Sequence, residues 1–291
     1  MKIAFLILCH KNEIQIKMLV KQLNNEYTDI YVHIDSKFGK IERLSQENII
    51  LLDNCERVDV KWSSFSMVTA TLNLINKCLS SGKKYDYVFL VSGQDFPLKS
   101  NMQILEYLKS NNGCNYIEIK NHNENYQSVF PKRNELYYPQ WMINTSFFAK
   151  VIRKMYILLT GGRSYTYRLF KRKNTTGLDF EYGSQWWCLQ GQVLEWMMNY
   201  INNHPEYPTF FKNALTPDEC FFQTLFINSP FANTRKDKLM WLQWAGNHPR
   251  LIVEDDIDSL IKNNSVLFAR KFDMSVNSRP IEMLLEKLRE L

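Results

Sequence analysis

The run Tyr87-Val88-Phe89-Leu90-Val91, stopped by Ser92-Gly93, most constrains what this chain can fold into. Five consecutive apolar and aromatic residues without polar alternation predict a strand buried on both faces, as in a parallel sheet covered by helices. Further strands are expected at Ile3–Cys9, Ile30–Ile34, Val58–Trp62 and Tyr116–Ile119, with helices over Glu13–Leu23 and Phe65–Leu79. In the second helix Phe65, Val68, Leu72, Ile75 and Leu79 recur at helical spacing. Ser63 or Ser64 is placed to cap it, and Gly82 lies just past its end. Strands alternating with helices of this length imply βαβ units and an α/β fold with a mostly parallel central sheet.

Ligands of open α/β sheets bind beyond the carboxyl ends of the strands. Three stretches occupy such ends. Ser92–Ser100 brings Gln94, Asp95 and Lys99, with Gly93 permitting close approach; Cys9–Asn12 brings His10; His33–Lys37 brings Asp35. Asp35 is placed either to accept hydrogen bonds from a ribose or base, or to cap its own turn. No Gly-x-Gly-x-x-Gly or Walker motif occurs, so a dinucleotide or P-loop site has no support.

The second half is less regular. Gln140–Lys173 reads as a basic, aromatic insertion, Trp186–Leu189 as a strand, Gln192–Ile201 and Thr216–Phe226 as helices, and Arg250–Val253 as a last strand. No linker divides the 291 residues, which predicts one domain with two sub-regions, over 1–120 and 121–291. From Leu136 to Leu178 there is no acidic residue but eight basic ones, +8 against a net +6 for the whole chain. The charge is therefore a local arm, and without a recognition motif nucleic acid is not an expected partner. Six cysteines lack Cys-x-x-Cys spacing and sit mostly in apolar runs, which predicts buried free thiols, no zinc site and a reducing compartment. The apolar N-terminal run is too short to span a membrane, lacks a small-residue cleavage site, and reads as the first core strand.

Several blocks together resemble the core-2/I-branching β-1,6-N-acetylglucosaminyltransferase family, which includes the peptide O-xylosyltransferases. They are His10-Lys11-Asn12, Tyr31–Lys37, Val60–Ser66, Ser92–Ser100, Gly183-Ser184-Gln185-Trp186, Thr216-Pro217-Asp218-Glu219, His248-Pro249-Arg250 and Ala269–Asp273. Each is short; their order along nearly the whole chain makes the match specific. The resemblance implies a GT-A-like fold and inverting sugar transfer from a UDP donor, with no metal or other cofactor. It places the catalytic base at Glu219, diphosphate contacts at Arg250 and Lys271, and a uridine contact at Asp35. His10, Gln94 and Asp95 would line the donor site, and Trp244 and Lys132-Arg133 the acceptor site.

The residues themselves admit plainer roles. Thr216-Pro217-Asp218-Glu219 has the form of a capping box, and a helix N-terminus would favour the charged carboxylate that an inverting base must be. Arg250 and Lys271 could serve as surface ion pairs, Asp95 as a cap of its own loop, and Trp244 as core. Without a metal, fixed cations must meet the charge that grows on the leaving diphosphate. Asp256-Ile257-Asp258 is a possible metal pair, but acidic residues ahead of Ile257, Leu260 and Ile261 read more simply as a helix start.

The family's membrane anchor, stem and disulfides are not evident here. The expectation is a bacterial cytoplasmic enzyme of surface polysaccharide assembly, most simply transferring N-acetylglucosamine to a glycan carried on a lipid. Other UDP-sugars, or a non-catalytic glycan- or nucleotide-binding module, are the alternatives. The arm Lys150–Lys173 would then rest on an anionic membrane, or be a solvated or acceptor-binding insertion.

Overall fold

Tyr87–Ser92 forms a strand buried at every position. The computed structural model describes residues 1–39, 41, 44, 46–120, 122, 133–139, 143, 146–159, 171–246 and 248–290. Its strands are β1 (Ile3–Cys9), β2 (Thr28–Ile34), β3 (Ile49–Leu51), β4 (Tyr87–Ser92), β5 (Asp95–Pro97), β6 (Asn115–Ile117), β7 (Trp187–Gln190), β8 (Arg235–Lys236), β9 (Met240–Leu242), β10 (Trp244–Ala245), β11 (His248–Pro249) and β12 (Phe268–Arg270). Its α-helices are α1 (Glu13–Leu23), α2 (Phe65–Ser80), α3 (Asn101–Ser110), α4 (Phe147–Leu159), α5 (Gly191–Asn203), α6 (Glu206–Phe211), α7 (Phe221–Ile227), α8 (Ile257–Lys262) and α9 (Arg279–Glu290).

The main sheet runs β3-β2-β1-β4-β7-β6-β8. β3, β2, β1 and β4 are mutually parallel, β6 and β8 are parallel, and β7 alone runs antiparallel to its neighbours. Alternate residues of β1 enter two different cores, as a strand covered on both faces must. Ile3, Phe5, Ile7 and Cys9 pack with α1, α3 and α9, whereas Ala4, Leu6 and Leu8 pack with α2, α5 and α7. A second sheet, β5-β12-β9, lies against the first layer; Phe268 of β12 stands over Phe5 and Phe89 at 5.9 and 5.5 Å. The α/β, mostly parallel class expected from sequence is the one found.

Three expected elements differ. Val58–Trp62 is not a strand: Val58 and Val60 give their backbone groups to His33, Ser36 and Lys37, so the segment crosses the strand ends instead of pairing along β2, and β3 takes that edge. Arg250–Val253 makes one backbone bond to Gln243 and two with Lys271 but joins no strand of either sheet. Thr216–Phe226 is broken in two, with a 3-10 turn at Pro217–Glu219 ahead of α7. Of the basic insertion, α4 and the segment from Lys171 are described; residues 140–142, 144–145 and 160–170, with Arg163 and Arg168, lie outside the described residues.

Candidate active site

The carboxyl ends of β1, β2 and β4 carry an uneven charge cluster. His10, Lys11, Asp35, Arg270 and Lys271 act on one another there. Lys11 pairs with Asp273 at 2.5 Å, Lys37 with Asp35 at 3.7 Å, and Arg270 with Asp95 at 3.4 Å. The Lys271 ammonium forms no ion pair among the described residues, and partial burial followed by the charges of Lys11 and Arg270 lowers its pKa. Burial first, and then the charges of Lys11 and Lys271, hold His10 below its ordinary value and favour its neutral form. Cations outnumber anions here.

The loop after β4 builds this cluster from below. Ser92–Lys99 is buried throughout, because Asp95-Phe96-Pro97 pairs with β12 as a strand. Asp95 is fully buried; it accepts the Ser92 N–H at 2.7 Å and faces Arg270, whose guanidinium stacks 4.3 Å above the Trp186 ring. Gln94, also buried, donates to the Phe272 carbonyl at 3.3 Å. Lys99 points elsewhere, to the Ile261 carbonyl and Asn264. Gly93 is closely packed: a Cβ there would lie 3.1 Å from Ile16 and 3.3 Å from Cys9. Asp35 is buried and accepts the Lys37 N–H, capping a short 3-10 turn.

Arg250 donates to Gln243 at 2.9 Å and Asp256 at 2.8 Å and lies 5.7 Å from the centre of the Trp241 ring; the Asp256 contact raises its pKa. Its carbonyl faces the Lys271 N–H. Asp256 also accepts the Val253 N–H, and Asp258 pairs with Lys287 at 2.6 Å, so each carboxylate of the Asp-x-Asp is engaged by a different cation. Trp244 is half exposed on the β10–β11 hairpin. A cavity of about 530 Å³ lies between the end of α3 and the β8–β9 connection, and its lining includes Trp241, whose ring faces Arg250.

Glu219 ends the Pro217–Glu219 turn, and Arg133 donates to it at 2.5 Å. The expected capping box is absent. Thr216 has φ 52°, makes no side-chain cap, and turns its hydroxyl toward Ser63 at 3.2 Å. Ser63 itself has φ 63°, and its carbonyl accepts the Thr216 N–H. Left-handed backbone at two non-glycine residues costs about 1–3 kcal/mol each and persists only where surroundings enforce it. On its other side the Glu219 carbonyl accepts the Gly183 N–H at 2.9 Å. Gly183 admits no side chain, since its Cβ would fall 1.7 Å from the Glu118 carbonyl oxygen. Gly183–Trp186 thus joins the two halves of the site: its first residue fixes Glu219 and its last carries Arg270. Lys132 lies outside the described residues.

Arg270, Lys11, Asp273 and Asp218 belong to this neighbourhood although sequence reading did not single them out. All four lie inside blocks that carry the family resemblance, but nothing local marks a buried arginine. Asp218 is buried, and its Oδ1 has no hydrogen-bond partner.

The chain is similar to known proteins. The family model of the core-2/I-branching enzymes matches residues 3–262. The chain is 24% identical over 321 residues to "Xylosyltransferase oxt" of Drosophila pseudoobscura pseudoobscura, covering 99% of this chain and 33% of that protein. It is 24% identical over 310 residues to human "Xylosyltransferase 2", covering 97% and 33%. It therefore spans about a third of the length of these relatives. The crystal structure of mouse xyloside xylosyltransferase 1 in its apo form superposes with a TM-score of 0.36 at 10% identity, covering 92% of this chain and 97% of that one. Because the family model spans nearly the whole chain, the protein belongs to the core-2/I-branching enzyme family of glycosyltransferases.

Proposed function

We propose that this protein is an inverting, metal-independent glycosyltransferase that moves a sugar from a UDP donor to a glycan hydroxyl. The observation that carries the donor side is the surplus of cations at the strand ends. Burial, followed by the charges of Lys11 and Arg270 at Lys271 and of Lys11 and Lys271 at His10, lowers both pKa values, and a diphosphate among these cations would offset their mutual repulsion. Lys271 and Arg250 receive the diphosphate, Asp35 and neutral His10 the nucleoside, and Asp95 acts through Arg270, which it holds in place.

Glu219 is the base. The acceptor oxygen attacks the anomeric carbon from the face opposite UDP, and the carbon–oxygen bond to the diphosphate breaks. The hydroxyl proton passes to a Glu219 carboxylate oxygen. Arg133 orients that carboxylate, and Trp244 offers an exposed ring for the acceptor. N-acetylglucosamine is the donor sugar the family resemblance favours; xylose is the second reading, favoured by the names of the relatives.

The place of action is bacterial surface polysaccharide assembly in the cytoplasm, on a lipid-carried acceptor. No helix among the described residues is long and apolar enough to cross a membrane. Yet Phe147, Phe148, Ile152, Leu158 and Leu159 of α4 are exposed beside Lys150, Arg153 and Lys154, a composition suited to lying on an anionic bilayer. Replacing Phe148 and Leu158 by serine should abolish co-flotation with phosphatidylglycerol vesicles; unchanged flotation removes the membrane from the account.

A panel of UDP-sugars with glycan acceptors, read by UDP release, tests the chemistry. Glu219→Gln should lower turnover by about 10²–10⁴ while UDP affinity stays within a few-fold. Undiminished turnover refutes Glu219 as the base.

A further inference from the structure

The cavity of about 530 Å³ is bounded by the end of α3, the β8–β9 connection and the segment that joins α8 to β12. Its size falls within the range of about 300–1,000 Å³ usual for small-molecule sites. Neither Glu219, Arg250, Lys271, Trp244 nor any other residue assigned to the transfer lines it.

Three aromatic side chains line the cavity: Tyr107, Tyr116 and Trp241. Tyr116 belongs to β6, beside the edge strand β8, and its ring lies 6.0 Å from that of Tyr107 on α3. The Tyr87 hydroxyl, at the start of β4, donates to the Asn111 carbonyl and ties the end of α3 to the sheet. Tyr116 is buried, and its hydroxyl forms no hydrogen bond, although the Tyr107 phenol is near enough to act on it. An unmatched hydroxyl in the wall of a cavity needs a reason, and scaffold packing does not supply one.

Two amides complete the lining, and each commits one half of its side chain to the protein. Asn111 donates from Nδ2 to the Tyr107 carbonyl at 2.9 Å. Asn263 accepts at Oδ1 from the Ser265 N–H at 2.9 Å and from the Ser265 hydroxyl at 2.7 Å. These bonds leave the Asn111 oxygen as an acceptor and the Asn263 nitrogen as a donor, neither paired among the described residues. The charges of the wall do not suit a phosphate. Lys238 pairs with Glu118 at 2.6 Å, and Lys236 is followed directly by Asp237. The surplus of cations is at the strand ends instead.

We propose that this cavity is a second glycan-binding site, for uncharged sugar units of a longer chain. Pyranose rings present apolar C–H faces, which suit Tyr107 and Trp241, and hydroxyls that both donate and accept, which suit Asn111 and Asn263. The choice of a glycan as occupant rests on the proposed transferase activity. Trp241 joins the two sites, since the Arg250 guanidinium lies 5.7 Å from the centre of its ring. A glycan bound here is therefore held beside a contact proposed for the donor diphosphate.

Ligand-observed NMR with cellobiose, lactose, maltose and di-N-acetylchitobiose, without any donor sugar, tests the site. At least one should bind saturably and stay bound when UDP is saturating. Tyr107→Ala should weaken that binding about tenfold. Asn263→Asp keeps the oxygen that holds Ser265 and removes only the free donor. It should weaken binding several-fold at an unchanged melting temperature, which a purely structural asparagine would not do. Trp244→Ala should leave binding as it is. Failure of all four sugars to bind, binding as tight in either cavity variant as in wild type, displacement by UDP, or loss in Trp244→Ala overturns the site. If Tyr107→Ala does not accumulate folded, Asn263→Asp, at an exposed residue, decides. No transfer is measured, so failure here leaves Glu219 untouched. Undiminished turnover in Glu219→Gln instead removes the base and leaves the cavity standing.

Discussion

The two ends of the main sheet treat charge differently. At the amino end, Asp29 is buried but fully served: Lys2 and Lys83 approach at 3.2 and 3.0 Å and the Tyr85 hydroxyl donates at 2.7 Å. At the carboxyl end, Lys11, Arg270 and Lys271 crowd together, and Lys271 has no ion-pair partner among the described residues. One end is closed, with its charges matched within the protein. The other leaves positive charge to be matched by something else. A charged cluster that satisfies itself serves the fold; one that does not is a candidate for ligand binding.

The contrast can be broken most severely at Asp95. Asp95→Ala leaves Arg270, whose side chain is only 11% exposed, without its counter-ion, and should cost about 3–5 kcal/mol. Chemical denaturation reads this directly, and a loss below about 1 kcal/mol would show that Arg270 does not depend on Asp95. Asp29→Ala should cost less, about 1–3 kcal/mol, because its lysines are partly exposed and can rehydrate. Its partners hold the Asp29 pKa low despite burial. Its stabilisation is therefore present above the unfolded carboxylate pKa and lost as pH falls through the lower folded value. The gap between wild type and Asp29→Ala should accordingly close on acidification, and a gap independent of pH contradicts a closed, charge-matched end. The smallest stability effect belongs to Lys271→Ala, which relieves repulsion from Lys11 and Arg270 and should leave the melting temperature unchanged or slightly raised. A marked fall would mean that Lys271 serves the fold.

The main sheet was legible where physics is local. Tyr87–Val91 and Ile3–Cys9 announce buried strands because both faces are apolar, and α1 and α2 follow from periodicity and caps. Elements fixed by distant partners were not legible. β5 looks like a loop because its pairing partner, β12, lies more than 170 residues away. Thr216-Pro217-Asp218-Glu219 has the letters of a capping box, yet Ser63 and Gly183 force a different turn on it. The same holds for the site. The motif order pointed to Glu219, Arg250 and Lys271, but nothing near Arg270 in the sequence foretells that Asp95 lies beneath it and Trp186 against it. Lys99, grouped with Gln94 and Asp95 by sequence, faces elsewhere because Ile261 of α8 and Asn264 just beyond it accept from its ammonium.

The central claim is that fixed cations at the open end of the sheet take the place of a metal in holding a diphosphate. Calorimetric titration of UDP into the protein in EDTA, beside Lys271→Ala, tests it most directly. Saturable binding without any divalent ion, weakened tenfold or more in the variant and by raised salt, is the predicted result. Binding that appears only when Mn²⁺ is restored, or that is equally tight in Lys271→Ala, would contradict it.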